Sequence, residues 1–153
     1  DDFLNQWVDG KAIVLNKTIN FLKWRLSAPT KKYEIITLKE KGSLVGVAIT
    51  TTIVKENILS LAVLDFMVLD NSKVYSKYLN STIFNVAKQN KVEVILKMMS
   101  EFEAKKLAFG KRGYVKSPYK FTLIIKQFKS TIDKDFLYNA KNWHLSWVDS
   151  DDL

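Results

Sequence analysis

The sequence predicts an α+β domain, layered α/β/α around one mixed central sheet of about six to seven strands. Three observations carry that prediction. Two β-prone runs, Tyr33–Leu38 and Leu44–Val54, flank a charged turn containing Gly42 and so read as an antiparallel hairpin. A second turn, Lys55-Glu56-Asn57, leads into Ile58–Leu69, an apolar run long enough for a central strand. The hydrophobic period then switches to 3.6 across Ser72–Asn90 and back to extended across Val92–Met99. A strand–helix–strand unit of that length implies a crossover between parallel strands.

The remaining elements follow in chain order. Leu15–Leu26 reads as a helix, with Ile19, Leu22 and Leu26 on one face and Trp24 beside it. Asn16 or Thr18 is placed to cap its start, and Ser27-Ala28-Pro29 ends it, since the residue before proline avoids helical geometry. In the helix after the central strand, Tyr75, Leu79, Ile83 and Val86 form the apolar stripe, with Lys73, Lys77 and Lys88 on wet faces. Glu101–Lys111 is a short helix, acidic at its start and basic at its end, which matches the helix dipole; Gly113 stops it. Phe121–Phe128 reads as a further strand and Asp133–Asn139 as a turn or short helix. Trp143–Val148 is the last strand, in which Trp143, Leu145 and Trp147 alternate with His144, Ser146 and Val148.

The length, 153 residues, suits a single domain spanning 1–153. At 47% hydrophobic and 26% charged, with five glycines and two prolines, disorder and linker-like character are excluded. The longest apolar run, Leu59–Leu69, is broken by Ser60 and Asp65, so no membrane span is expected. The chain opens on Asp1-Asp2-Phe3 with no signal pattern, and the expectation is a domain excised from a longer, cytoplasmic protein. With no cysteine and one histidine, thiolate zinc sites, disulfides and histidine-rich metal sites are excluded and no metal is expected. The net charge of +8 rests on 22 Lys and only two Arg, Arg25 and Arg112. It favours anionic ligands, nucleotide cofactors included. The near absence of arginine disfavours a nucleic-acid partner.

Asp65 is the most informative single residue, because it interrupts a run that should be buried, where an unpartnered carboxylate is costly. Two readings stand: a general base with a raised pKa, or a carboxylate tied to backbone N–H groups or to a cation such as Arg25. His144 lies opposite Trp143 and Trp147, as a surface or hydrogen-bonded residue or as a catalytic one. Asp149, Asp151 and Asp152 lack the glycine and distal glutamate of an EF-hand loop and read as a solvated tail. Trp24, Trp143 and Trp147 read as core or sheet-edge packing.

The element order resembles the GNAT superfamily of N-acetyltransferases over residues 15–149. Leu22-Lys23-Trp24-Arg25-Leu26 with Pro29 and Tyr33 looks like the opening of bacterial GNAT-like and FemAB-like domains. Ala62-Val63-Leu64-Asp65-Phe66 looks like their central strand, and Asn142–Asp151 like their closing strand. In that group such a domain is often the C-terminal half of a larger protein, which implies an N-terminal companion domain.

The resemblance implies transfer of an acyl group from acetyl-CoA or another acyl-CoA to the amine of a small molecule or peptide. The pantetheine arm would pair with backbone near Met67 and Val68. Ser72, Lys73 and Lys77, at the start of the following helix, would meet the phosphates; Lys111 and Arg112 would reach the nucleotide end, and Asp65 would be the catalytic base. Two departures are visible. The phosphate loop Asn71-Ser72-Lys73-Val74-Tyr75-Ser76 lacks the family's glycines. Phe109 stands where the family carries a tyrosine acid, although Gly113-Tyr114 keeps the Gly-Phe pattern. The alternative is therefore a non-catalytic GNAT-like module that packs on a partner domain and forms a substrate groove.

Overall fold

The computed structural model describes residues 2–69, 72–118, 121–128 and 131–150. Its backbone is a four-stranded mixed sheet in the order β2 (Tyr33–Glu40), β3 (Ser43–Lys55), β4 (Ile58–Val68), β5 (Val94–Lys97). The first three strands form an antiparallel meander whose two turns have two residues each. Lys41 and Gly42 lie at φ 49° and 87°, and Glu56 and Asn57 at 52° and 63°. Positive φ at both turn positions gives the backbone twist that tight hairpins need, which Gly42 and Asn57 accept at low cost.

The helix α3 (Ser72–Gln89) crosses from β4 to β5, and those two strands are parallel, with Ser60↔Val94 through Val63↔Lys97 in register. β4 is central and apolar on both faces. Leu61, Val63 and Phe66 pack with Leu79 and Ile83 of α3, while Ala62, Leu64 and Met67 pack against the opposite layer. The swap of phase between residues 63 and 66 arises from a register shift opposite Ile49 and Thr50, which pair with Asp65 and Val63 and leave Leu64 as the extra residue. Gly46 lets α3 approach the sheet closely: a Cβ there would sit 3.3 Å from Leu38 Cβ and 3.5 Å from Leu79 Cδ2.

The opposite layer starts with α1 (Asp2–Val8), which buries Phe3 and Trp7. Then come β1 (Ile13–Val14) and α2 (Ile19–Arg25), which Thr18 caps by accepting the Phe21 N–H at 3.1 Å. The helix α4 (Glu101–Lys106) begins on a Ser100 cap and is followed by a 3-10 turn at Phe109–Arg112. Late in the chain, α5 (Lys134–Tyr138) is capped by Asp133, and β6 (Trp143–His144) pairs parallel with β1.

Several expectations are corrected. Among the described residues the strands number four in the main sheet and two in a separate β1–β6 ladder, not six or seven in one sheet. Phe121–Phe128 forms no strand among the described residues; Ile124 is 86% exposed, and a β-prone run without a partner edge gains no ladder bonds. The last strand stops after His144, where a 3-10 turn at Trp147–Asp149 takes over. Trp24 is 69% exposed, because α2 turns Leu22 and Leu26 inward instead. No described helix is long and apolar enough to cross a membrane.

Candidate functional site

The backbone itself creates the first feature. Pairing between β4 and β5 ends at Val63↔Lys97, and beyond it β4 runs on to Val68 with only β3 as its ladder partner among the described residues. A wedge therefore opens between two parallel strands next to the Leu64 bulge, with Lys97, Met98 and Met99 on one side and Asp65 and Phe66 on the other. The wedge encloses about 10 Å³, room for about one water molecule. His144 and Glu103 line it and also line a larger groove of about 430 Å³. That groove runs between residues 6–12, the end of β4 at Val68 and Leu69, Phe102 and Lys106 of α4, and Lys141–Trp143.

Asp65 is only 1% exposed and fully committed. Its Oδ2 accepts from Lys17 Nζ at 2.6 Å and its Oδ1 from the Phe66 N–H at 2.8 Å. Lys17, itself 1% exposed, also donates to Ser146 Oγ at 2.9 Å and contacts Asp149 Oδ1 at 3.3 Å. Asp149 Oδ2 in turn accepts from the Ser146 N–H at 2.8 Å. This network ties the segment before α2, the middle of β4 and the C-terminal turn together. The cation beside Asp65 is thus Lys17, not Arg25. Arg25 instead donates to Val148 O at 3.1 Å and to Ser150 O. Asp149 is a structural residue and not a solvated tail, while Asp151 and Asp152 lie outside the described residues.

His144 contacts Glu103 Oε1 through Nδ1 and packs edge-on against Trp7, with ring centroids 4.7 Å apart. Its Nε2 and the second oxygen of Glu103 are buried without a hydrogen-bond partner among the described residues. An imidazole oriented through one nitrogen by a carboxylate, with the other nitrogen free, is the arrangement of a proton acceptor. Lys97 is the second unexpected member. Its Nζ is buried, unpartnered in the same sense, and lies 3.1 Å from the Phe66 ring centroid and 4.0 Å from that of Phe109. Burial holds its pKa well below the usual lysine range; Asp65 and Glu103 pull it back up, and Arg112 adds to the depression.

The expected cofactor residues fall in two places. Met67 is buried in the core, and Val68 borders the large groove. At the start of α3, Lys73 and Lys77 are exposed, and Arg112 joins them, donating to Lys73 O at 2.9 Å and to Ser76 Oγ at 2.8 Å. Ser72 opens this helix, Lys111 is exposed in the 3-10 turn, and Asn71 lies outside the described residues. Phe109 is buried between Phe66 and Tyr114. Tyr114 donates to Asn80 Oδ1 at 3.1 Å, and burial pushes its pKa up to about 12.

Asp65 and His144 stand out in the sequence, whereas Lys17, Lys97 and Glu103 join them only in the fold. Only Lys97 leaves a trace, as a charge interrupting the strand run Val92–Met99.

No family model matches the sequence, and no curated protein sequence matches it. Solved structures do resemble it. One is a Pyrococcus furiosus protein assigned as an acetyl transferase (TM-score 0.56, 16% identity, 69% of this chain and 73% of that one). A second is an aminoglycoside acetyltransferase from an uncultured soil metagenomic sample, in complex with trehalose (0.54, 11%, 84% and 88%). A third comes from Thermus thermophilus (0.52, 15%, 84% and 91%). The chain has an acetyltransferase-like fold.

Proposed function

We propose that this chain is an acyl-CoA-dependent N-acyltransferase acting on a small-molecule amine. The observation that carries the reading is the parting of parallel β4 and β5 after Val63↔Lys97, beside a bulge and between two cavities. Strand backbone freed from its neighbour can pair with an extended ligand arm, and β4 offers that backbone at Met67 and Val68. The positive start of α3, with Ser72, Lys73 and Lys77 and with Arg112 clamped on its first turn, suits phosphate groups. Lys111 extends this positive surface toward the nucleotide end. These residues fit acyl-CoA, whose bound thioester would supply an activated acyl carbon at the wedge.

The chain's own part is binding and proton handling. The large groove receives the acceptor between Trp7, Trp143 and Phe102, with Asp9 available to an ammonium group. His144 takes the amine proton through Nε2, and Glu103 stabilises the resulting imidazolium. Asp65, already paired with Lys17, fixes the wall of the wedge and is not assigned as the base. Calorimetric titration with acetyl-CoA and CoA tests the reading: micromolar binding that weakens with salt and with Lys73→Glu supports it. Absence of binding would favour the second reading, a non-catalytic module packing on a companion domain. Phe109, which has no proton to give a leaving thiolate, supports that alternative.

A further inference from the structure

Among the described residues, Lys17 and Lys97 bury their amines in opposite ways. Lys17 has a carboxylate, a hydroxyl and a second carboxylate around its Nζ, whereas Lys97 Nζ meets two aromatic rings and the wedge. An ammonium so placed has lost its water without gaining an acceptor, so burial moves the balance toward the neutral amine, whose lone pair is free. Charged or titratable groups border it from each neighbouring element: Asp65 of β4, Glu103 of α4, Arg112 of the 3-10 turn and His144 of β6. The Lys97 residue as a whole is half-buried, as are Met98 and Met99 beside it, so the wedge is reached past flexible side chains.

We propose that Lys97 Nζ is an acyl-accepting nucleophile, converted to Nε-acyl-lysine by activated acyl donors, with an acyl thioester as the natural one. The choice of natural donor rests on the acyl-CoA reading; the reactivity of the amine does not. The Lys97 lone pair attacks the acyl carbonyl carbon and a C–N bond forms. The C–S bond breaks and the thiolate leaves with its electron pair. The proton released from nitrogen passes to His144 Nε2, beside Glu103. The product is a neutral amide, which suits the Phe66 and Phe109 walls and is too stable to pass its acyl group on. One equivalent per chain is therefore the limit. The cavity of about 10 Å³ is smaller than an acetyl group, so Met98 and Met99 must give way.

The test uses the full chain at pH 7, treated separately with limiting p-nitrophenyl acetate and with acetyl-CoA, and read by intact mass and peptide mapping. An exposed lysine such as Lys88 serves as the internal reference, because at pH 7 only about one in 2,500 of such amines is neutral. Lys97 should acetylate about tenfold faster than Lys88 or more, each unit of pKa depression raising the neutral fraction tenfold. Lys97→Met should remove that fast site and no other. Labelling of Lys97 by both reagents supports both readings. Labelling by p-nitrophenyl acetate alone supports the reactive lysine and overturns acyl-CoA as its donor. Labelling of Lys97 no faster than Lys88 with both reagents overturns the proposal, even where calorimetry shows that acetyl-CoA binds.

Discussion

Replacing each buried lysine with methionine should move stability in opposite directions. Methionine nearly matches the lysine stem in volume, so each change removes an amine and little else. At position 97 it removes a group without a hydrogen-bond acceptor among the described residues. At pH 7 each unit by which burial lowers its pKa below the ordinary 10.5 costs about 1.4 kcal/mol. A thioether keeps the contact with Phe66 and Phe109, to which a neutral amine contributes no cation attraction. Lys97→Met should therefore gain about 1–3 kcal/mol, or about 3–9 °C in melting temperature at pH 7. At position 17 the same change strands Asp65 and Asp149 without their cation and should cost about 3–5 kcal/mol, or about 9–15 °C.

The pH dependence gives an independent check on the same pair. Because burial lowers the folded-state pKa of Lys97, the unfolded chain binds more protons between that value and 10.5, and wild-type stability rises with pH there. The advantage of Lys97→Met should shrink by up to about 1.4 kcal/mol per pH unit as that window is crossed. Calorimetry from pH 7 to 10 measures it. Loss of stability in Lys97→Met comparable to that in Lys17→Met, or melting curves that stay parallel across the pH range, would refute the assignment of Lys97 as an unpaired amine.

Tyr114→Phe should protect the fold in alkali. A phenol held at about 12 in the fold but near 10 when unfolded contributes stability present below pH 10 and lost at about 1.4 kcal/mol per unit toward 12; alkaline unfolding of the two proteins reads the difference. Ser100→Ala removes the acceptor of the Glu103 N–H at 3.1 Å and should cost about 1 kcal/mol in urea denaturation; a larger loss would mean that the Glu103–His144 contact collapses with the cap. If the chain turns over acetyl-CoA, His144→Gln should lower kcat about 100- to 10,000-fold while CoA affinity in calorimetry stays unchanged; equal turnover would remove His144 as the base.

Sequence alone determined what is decided locally. The two hairpin turns need positive φ at successive residues, and Lys41-Gly42 and Glu56-Asn57 declare it through Gly and Asn. Of the two cap candidates Asn16 and Thr18, the structure uses Thr18, a contact only three residues long. The change of hydrophobic period around Ser72–Gln89 fixed a crossover, and hence the parallel β4–β5 pair at the centre of the candidate site. α1 carries a helical spacing in Phe3, Leu4, Trp7 and Val8, although no helix is expected there above. The two-residue β1–β6 ladder left none, being too short for any pattern.

Tertiary structure decided which charges are inside. Asp65 was conspicuous because a carboxylate breaks an apolar run, but its partners lie 48 residues away at Lys17 and, through that lysine, another 129 on at Ser146. Glu103 meets His144 across 41 residues, and Lys97 sits in the sequence as one charge inside the strand run Val92–Met99. Lysine burial carries no local signature, since a long stem suits a wet face or a dry wedge equally. The outcome depends on whether an acceptor arrives from elsewhere in the chain: at Lys17 two carboxylates do, and at Lys97 two phenyl rings arrive instead.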